Sequence, residues 1–382
     1  GYYASYNAHR MSLQPNNYDD KWEWWPVPLS FCPVDAARCT YQPLIDALEN
    51  VGYESDPNSP NQNLFVAYYN WLRPNAESAV NDLAPVIAQA LAKTGSPKVH
   101  IITHSNGGLV ARNWIQNQEA STVVDELIML APPNYGVARV YPAWAGGDIT
   151  REGWKLRTFV FDRLLAAFEA PQSCYPAVSG GEICVYRDNT YHSYIHQYVS
   201  SARDLIPVFD FWMAPDGQFK QYQDMHPDNQ NQNLTNLNQD IQNDFINKVG
   251  YITIIGATTD EEQTYDGFVY EDCPTCSPLW LDGTVSEDLY YDGDGTVASL
   301  RIRLPGITPI MLEADHGEIV QKAIPHIFQI LQLILPTPVP TPVPTPTPPP
   351  ADTLVYTVVR NAPMMYDAGS IASSTDIETS DE

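Results

Sequence analysis

Five stretches of strand length are dominated by apolar runs with no regular polar alternation: "NLFVAYY" (63–69), "KVHIIT" (98–103), "VDELIMLAPP" (124–133), "GYITIIG" (250–256) and "ITPIMLE" (307–313). Such runs suit parallel strands covered on both faces, because a strand with one wet face alternates instead. Between them the period changes to that of a helix. In "ESAVNDLAPVIAQALAKTG" (77–95), Ala79, Leu83, Val86, Ile87 and Leu91 share a face, and Gly95 closes the end. Strands alternating with helices predict a mostly parallel, doubly wound α/β sheet.

The rhythm breaks from Asn134 to Lys248, where aromatic loops and amphipathic helices replace any clear strand. We read 134–248 as a cap inserted over the sheet. Within it, "QNLTNLNQDIQNDF" (232–245) places Leu234, Leu237, Ile241 and Phe245 on one helical stripe, which fits packing better than a substrate groove. The folded domain is expected to span 1–335. It ends at "PTPVPTPVPTPTPPP" (336–350), whose prolines lack backbone donors and favour an extended spacer. Residues 351–382 hold one strand-like stretch, "TLVYTVV", and an acidic end; they read as an incomplete tail or truncated module, too short to bury a core.

Charge narrows the partners. With 20 basic against 46 acidic residues the net charge is −26, which opposes phosphate backbones and anionic headgroups and argues against nucleic acid. Only 17% of residues are charged, a mix closer to a secreted enzyme than to a disordered acidic tail. Six cysteines fall into three local pairs, Cys32 with Cys39, Cys174 with Cys184 and Cys273 with Cys276, which suggests disulfides in an oxidising, extracellular setting. "CPTC" (273–276) lacks the second CxxC of a zinc site, so a structural disulfide is the expected reading. No apolar run is long enough to span a bilayer. The chain shows no signal peptide and opens on Gly1 rather than Met, from which we expect a processed chain or a fragment.

The chemistry centres on "HIITHSNGGLVARNW" (100–114): a strand, a sharp turn carrying Ser105, and the start of a helix. A serine hydroxyl is a poor nucleophile unless a base takes its proton and donors meet the developing oxyanion. A tight turn after a strand exposes the hydroxyl, and the helix behind it aims its positive end at the oxyanion. The usual GxSxG has become Thr-His-Ser-Asn-Gly; Gly107 keeps one small position, Thr103 modestly enlarges the other, and Gly108 adds slack. A base is expected after the final strand, where His316 stands in "MLEADHGEIV" (311–320), before a last helix over 318–333. The acid is expected in "YYDGDGTVASL" (290–300), whose glycines make a tight loop. Asp292 and Asp294 both qualify by position. A calcium loop is not supported, since Arg301 or Arg303 stands where an EF-hand needs its twelfth-position Glu. His192 and His196 have helical metal-like spacing without a third ligand and read as structural; His104 reads as a supporting residue and His326 as surface packing. No metal or cofactor is called for.

In this order the motifs resemble the α/β-hydrolase fold, and within it the lecithin:cholesterol acyltransferase-like lipases. "YQPLIDALENVGY", "NLFVAYYNWLRP", "THSNGGLVAR", "LIMLAPPNYG", "YPAWAGGD", "ARDLIPVFDF", "DGDGTV" and "DHGEIV" carry the resemblance over most of 1–335. It implies that Ser105 is the nucleophile, Asp294 the acid with Asp292 as fallback, and His316 the base. It places one oxyanion amide at Asn106. The other falls at Tyr3, with Tyr2 as the alternative, because "GYYASYN" looks like the end of the family's "PGxxGS" loop with Ala4 replacing a glycine. The strand that should precede that loop lies inside the sheet beside the nucleophile strand, so the natural protein is expected to be longer at its amino end. Cap aromatics, among them Tyr141, Trp144, Trp154, Phe159, Phe211 and Trp212, are expected to be mostly core, with one or two lining an acyl site.

The expected function is a secreted serine esterase or lipase acting on an acyl ester or lipid without a cofactor. The same groups would make an acyltransferase if an alcohol outcompeted water, or a polyester depolymerase if the cleft were open. A non-catalytic surface-binding protein on this scaffold, attached through the Pro-Thr spacer, is the reading from another class.

Overall fold

A computed structural model describes residues 36–117, 123–148, 172–176, 182–186, 188–259, 264–276 and 279–333. All of them belong to the compact unit Gly1–Pro336. The expected spacer and tail, and Tyr3, lie outside the described residues.

In chain order the strands are β1 (Val99–His104), β2 (Val124–Leu130), β3 (Gln172–Pro176), β4 (Glu182–Tyr186), β5 (Trp212–Met213), β6 (Phe219–Lys220), β7 (Tyr251–Thr258), β8 (Thr264–Glu271), β9 (Thr284–Tyr291) and β10 (Ile310–Glu313). The helices used below are α1 (Ala36–Glu49), α2 (Ala84–Thr94), α3 (Gly107–Asn117), α4 (Tyr141–Gly146), α5 (Asp188–Tyr198), α6 (Gln232–Leu237), α7 (Ile241–Asp244), α8 (Ile319–Lys322) and α9 (Ile324–Ile330). The central sheet has the order β1-β2-β7-β10, and every neighbouring pair in it is parallel.

β2 shows why these strands read as continuously apolar. Leu127 and Met129 pack on one face with Val110 and Trp114 of α3 and Ile87 of α2, while Ile128 and Leu130 pack on the other with Leu44 and Leu48 of α1 and Ile327 of α9. Both faces are covered, so both must be apolar. This is an α/β-hydrolase core.

Residues 63–69, expected as a strand, join no ladder. Beside them lies a cavity of about 590 Å³, bounded by Leu64 to Tyr69 on one side and β1 on the other, with Tyr41 and Leu44 of α1 and Val86 and Ile87 of α2 among its walls. β1 pairs with β2 along one edge, and residues 64–69 line this space with it, without a ladder between them among the described residues.

The cap also departs from expectation. It contains strands: the hairpin β3-β4, and the short β5 and β6, which join β8 and β9 in a second sheet of order β6-β5-β8-β9. β8 and β9 follow β7 and so lie beyond the expected cap limit at Lys248. The register sets Cys174 opposite Cys184 across β3-β4. Cys273 and Cys276 form a disulfide. Tyr141, Trp144, Phe211 and Trp212 are all buried in one aromatic core, as expected of most cap aromatics; Trp154 and Phe159 lie outside the described residues.

The single helix expected over 232–245 is two, α6 and α7, because Asp240 interrupts it as an N-cap whose Oδ1 accepts from the amide of Asn243 at 3.2 Å. The stripe still packs. Leu234 and Leu237 contact Leu109, while Ile241 and Phe245 enter the core beneath α3. Arg112, fully buried on α3, ties this segment down by donating to the carbonyl of Leu237 at 2.7 Å, to Oδ1 of Asn238 at 2.8 Å and to Oδ1 of Asn134 at 3.1 Å. Burial pushes its guanidinium down to about 9.

Candidate active site

The turn after β1 is held at both ends. The amide of Ser105 donates to the carbonyl of Leu130 on β2 at 2.9 Å, and its own carbonyl accepts from the amide of Gly108 at 2.9 Å. Ser105 takes φ 53°, the left-handed region that a residue with a Cβ adopts only when its surroundings impose it. The glycines divide differently from the sequence expectation. A Cβ on Gly107 would lie 3.9 Å from Cβ of Thr103, an ordinary contact, so Thr103 is accommodated. A Cβ on Gly108 would lie 2.9 Å from Cε of Met129 and 3.1 Å from Cβ of Pro132; Gly108 is the tight position rather than the slack one.

His316 follows β10 and reaches back across the carboxyl ends of the strands. Its Nε2 lies 2.8 Å from Oγ of Ser105, and its Nδ1 lies 2.7 Å from Oδ2 of Asp294. Asp294 is 2% exposed, and its other oxygen, Oδ1, accepts from the amides of Thr296 at 2.9 Å and Val297 at 2.7 Å. A buried carboxylate with each oxygen occupied can turn in only one way, so it holds the imidazole in a single orientation. Asp292 is exposed and makes none of these contacts.

The route by which Asp294 arrives explains the second sheet. The chain leaves β7, runs out through β8 and β9, and comes home where the amide of Thr259 donates to the carbonyl of Gly293 at 2.9 Å. The loop of 292–298 thus sits at the end of β7 despite the long excursion.

Asn106 follows the nucleophile candidate. Its side chain is locked in a reciprocal amide pair with Asn75, at 2.8 and 2.9 Å, and the backbone amide of Asn75 donates to Oδ2 of Asp204 at 2.6 Å. Asp204 is buried, and desolvation raises its pKa against the hydrogen bonds that lower it. Tyr69 also hydrogen-bonds Asn106, and burial pushes its hydroxyl up to about 12. The amide of Asn106 makes no backbone hydrogen bond among the described residues and opens the first turn of α3, where an oxyanion would sit.

The structure therefore brings Ser105, Asn106, Asp294 and His316 together. His326 lies on α9 and takes no part in these hydrogen bonds. His196 bonds the carbonyl of Trp144 at 2.9 Å through Nε2, stacks on that indole at 3.7 Å and touches His192, so this pair packs α5 on α4. No group of three metal-ligating side chains occurs among the described residues, and no helix there is long and apolar enough to cross a membrane. Asn75, Asp204 and Gly108 were not assigned these roles from sequence; Asn75, directly after the "NWLRP" stretch, was the nearest signal.

The family model for lecithin:cholesterol acyltransferase matches residues 31–273, more than half of the 382. The chain belongs to the lecithin:cholesterol acyltransferase family. Membership makes it an acyl-ester hydrolase or acyltransferase. The matched span contains Ser105 and Asn106 and stops before Asp294 and His316, so within this family member the last two rest on the geometry above. No curated protein matches the chain by sequence. Similar solved structures include the Tle4–Tli4 complex, at 15% identity over 72% of this chain and 69% of that one with a TM-score of 0.45. Another is the mature lipase BlEst2 of Bacillus licheniformis, at 14% identity over 71% and 78% with a TM-score of 0.33. Likenesses this distant carry no argument about the reaction.

Proposed function

We propose that this member of the family is an exported serine esterase or lipase. The observation that carries the reading is the continuous hydrogen-bonded line from Oγ of Ser105 through both nitrogens of His316 to Oδ2 of Asp294. Ser105 attacks the acyl carbon while Nε2 of His316 takes the hydroxyl proton, and Asp294 steadies the resulting imidazolium. The amide of Asn106 donates to the oxyanion, with the amide of Tyr3 as its proposed partner. Collapse expels the alcohol, which receives the proton from His316, and leaves an acyl-Ser105 ester. Water then attacks with His316 again as base, releasing the acid and restoring the serine. A sterol, lipid or other alcohol in place of water would make the product a new ester.

The charge of −26 favours neutral esters over anionic ones. The Cys273–Cys276 disulfide supports an oxidising compartment, hence export. Product analysis tests the reading. A chain-length series of nitrophenyl esters should yield free acid, and an added alcohol should divert part of the acyl group to a new ester. A folded chain that turns over no member of the series would overturn the proposal in favour of a binding role.

A further inference from the structure

His104 precedes the nucleophile candidate, yet its side chain serves the residue opposite. Its Nε2 lies 2.7 Å from the carbonyl oxygen of His316, and its Nδ1 lies 2.8 Å from the hydroxyl of Tyr41 on α1. A carbonyl only accepts, so Nε2 carries the proton; Nδ1 then accepts, and the Tyr41 hydroxyl donates to it. The tautomer is fixed from both sides.

This contact completes a set. The amide of His316 already donates to the carbonyl of Asp294 at 3.0 Å, so the peptide on one side of its ring belongs to the acid's loop. The peptide on the other side is held by His104, one residue from Ser105 along β1 and its turn. Base and nucleophile are thereby referred to the same piece of backbone, and the two imidazoles lie 4.8 Å apart by centroid. We propose that His104, kept by Tyr41 in its Nε2–H form, is a positioning residue that clamps the carbonyl of His316 and so sets the reach of that ring to Ser105.

The clamp has to stay neutral, because a second cation there would oppose proton uptake by His316. Burial first and the neighbouring His316 second push His104 down to about 3, while its bond to the His316 carbonyl and the charge of Asp294 act the other way. From α1 the facing group is Tyr41, whose hydroxyl burial and nearby Tyr69 hold in the protonated, donating form.

The inference deepens the reading of His316 as base, but its test needs no turnover and so stands apart from that reading. Histidine-selective NMR on the full chain should show His104 as the Nε2–H tautomer and uncharged from about pH 8 to about pH 4. The downfield Nδ1 proton shared by His316 and Asp294 should broaden in His104→Ala and in Tyr41→Phe. It should stay sharp in His104→Gln, whose amide restores the donor to the carbonyl. Where esters are turned over, kcat in His104→Ala should fall about tenfold with KM unchanged, and His104→Gln should recover most of it. Should His104→Ala fail to fold, the Gln and Phe variants still decide. A His104 that titrates like a free imidazole, or a His316 signal equally sharp in folded Ala, Phe and Gln variants, overturns the clamp.

Discussion

His316 and Asp294 are joined twice, once side chain to side chain at 2.7 Å and once by the amide of His316 on the carbonyl of Asp294 at 3.0 Å. The acid therefore sets the position of the base as well as its tautomer. Asp294→Asn keeps the backbone tie and loses the carboxylate, so kcat should fall about 10³-fold to 10⁴-fold with the fold intact. Asp292→Asn, at an exposed neighbour, should leave turnover within about twofold of the native chain. Steady-state kinetics on the pair settles which aspartate acts; equal losses would contradict the assignment.

Gly107 and Gly108 should part company in stability. Gly108→Ala drives a methyl against Met129 and Pro132 and should cost about 1–3 kcal/mol. Gly107→Ala meets Thr103 at an ordinary distance and should be neutral, or stabilise by up to about 1 kcal/mol through helix propensity. Thermal unfolding measures both, and a Gly107→Ala loss as large as that of Gly108→Ala would refute the packing described.

Much of the core was legible because its cause is local. Residues 99–104, 124–130 and 251–258 carry apolar side chains on both faces over strand length, a pattern that suits a strand between two helical layers. Ser105 and His316 were legible for a related reason, since each sits at a strand end where a turn is forced. Residues 63–69 carry a similar pattern and join no ladder among the described residues, because a ladder depends on the neighbour as well as the strand. β8 and β9 were missed since "TYDGFVYE" and "TVSEDLYY" mix polar and apolar residues without a long apolar run. The amide pair of Asn75 with Asn106 spans 31 residues, and no local spacing announces it.

That amide pair yields its own prediction. Asn75→Ala removes the amide partner of Asn106, leaves its side chain to Tyr69 alone and loosens the turn that aims the oxyanion amide. We expect kcat to drop about tenfold with little change in KM, since the amide matters most when negative charge develops. A rise in KM at constant kcat would show that Asn75 serves substrate binding instead.

The depressed His104 should also be visible in stability. Its folded value is about 3 against an ordinary 6.5, so between them the unfolded chain takes up a proton that the folded chain refuses. Its contribution is thus fully present above pH 6.5 and is lost as pH falls toward 3. Denaturation midpoints of the native chain should decline more steeply over that window than those of His104→Gln. His192, lowered to about 4, is common to both and cancels in the comparison. Parallel curves would contradict the neutral clamp.

Every step of the proposed reaction depends on activation of the Ser105 hydroxyl by His316. A fluorophosphonate reports this directly, because it forms a stable adduct only with an activated hydroxyl, and peptide mapping locates the adduct. A single adduct is expected on Ser105, lost in His316→Ala and retained in His326→Ala. A folded chain with no adduct on Ser105, or one labelled equally well without His316, would contradict it.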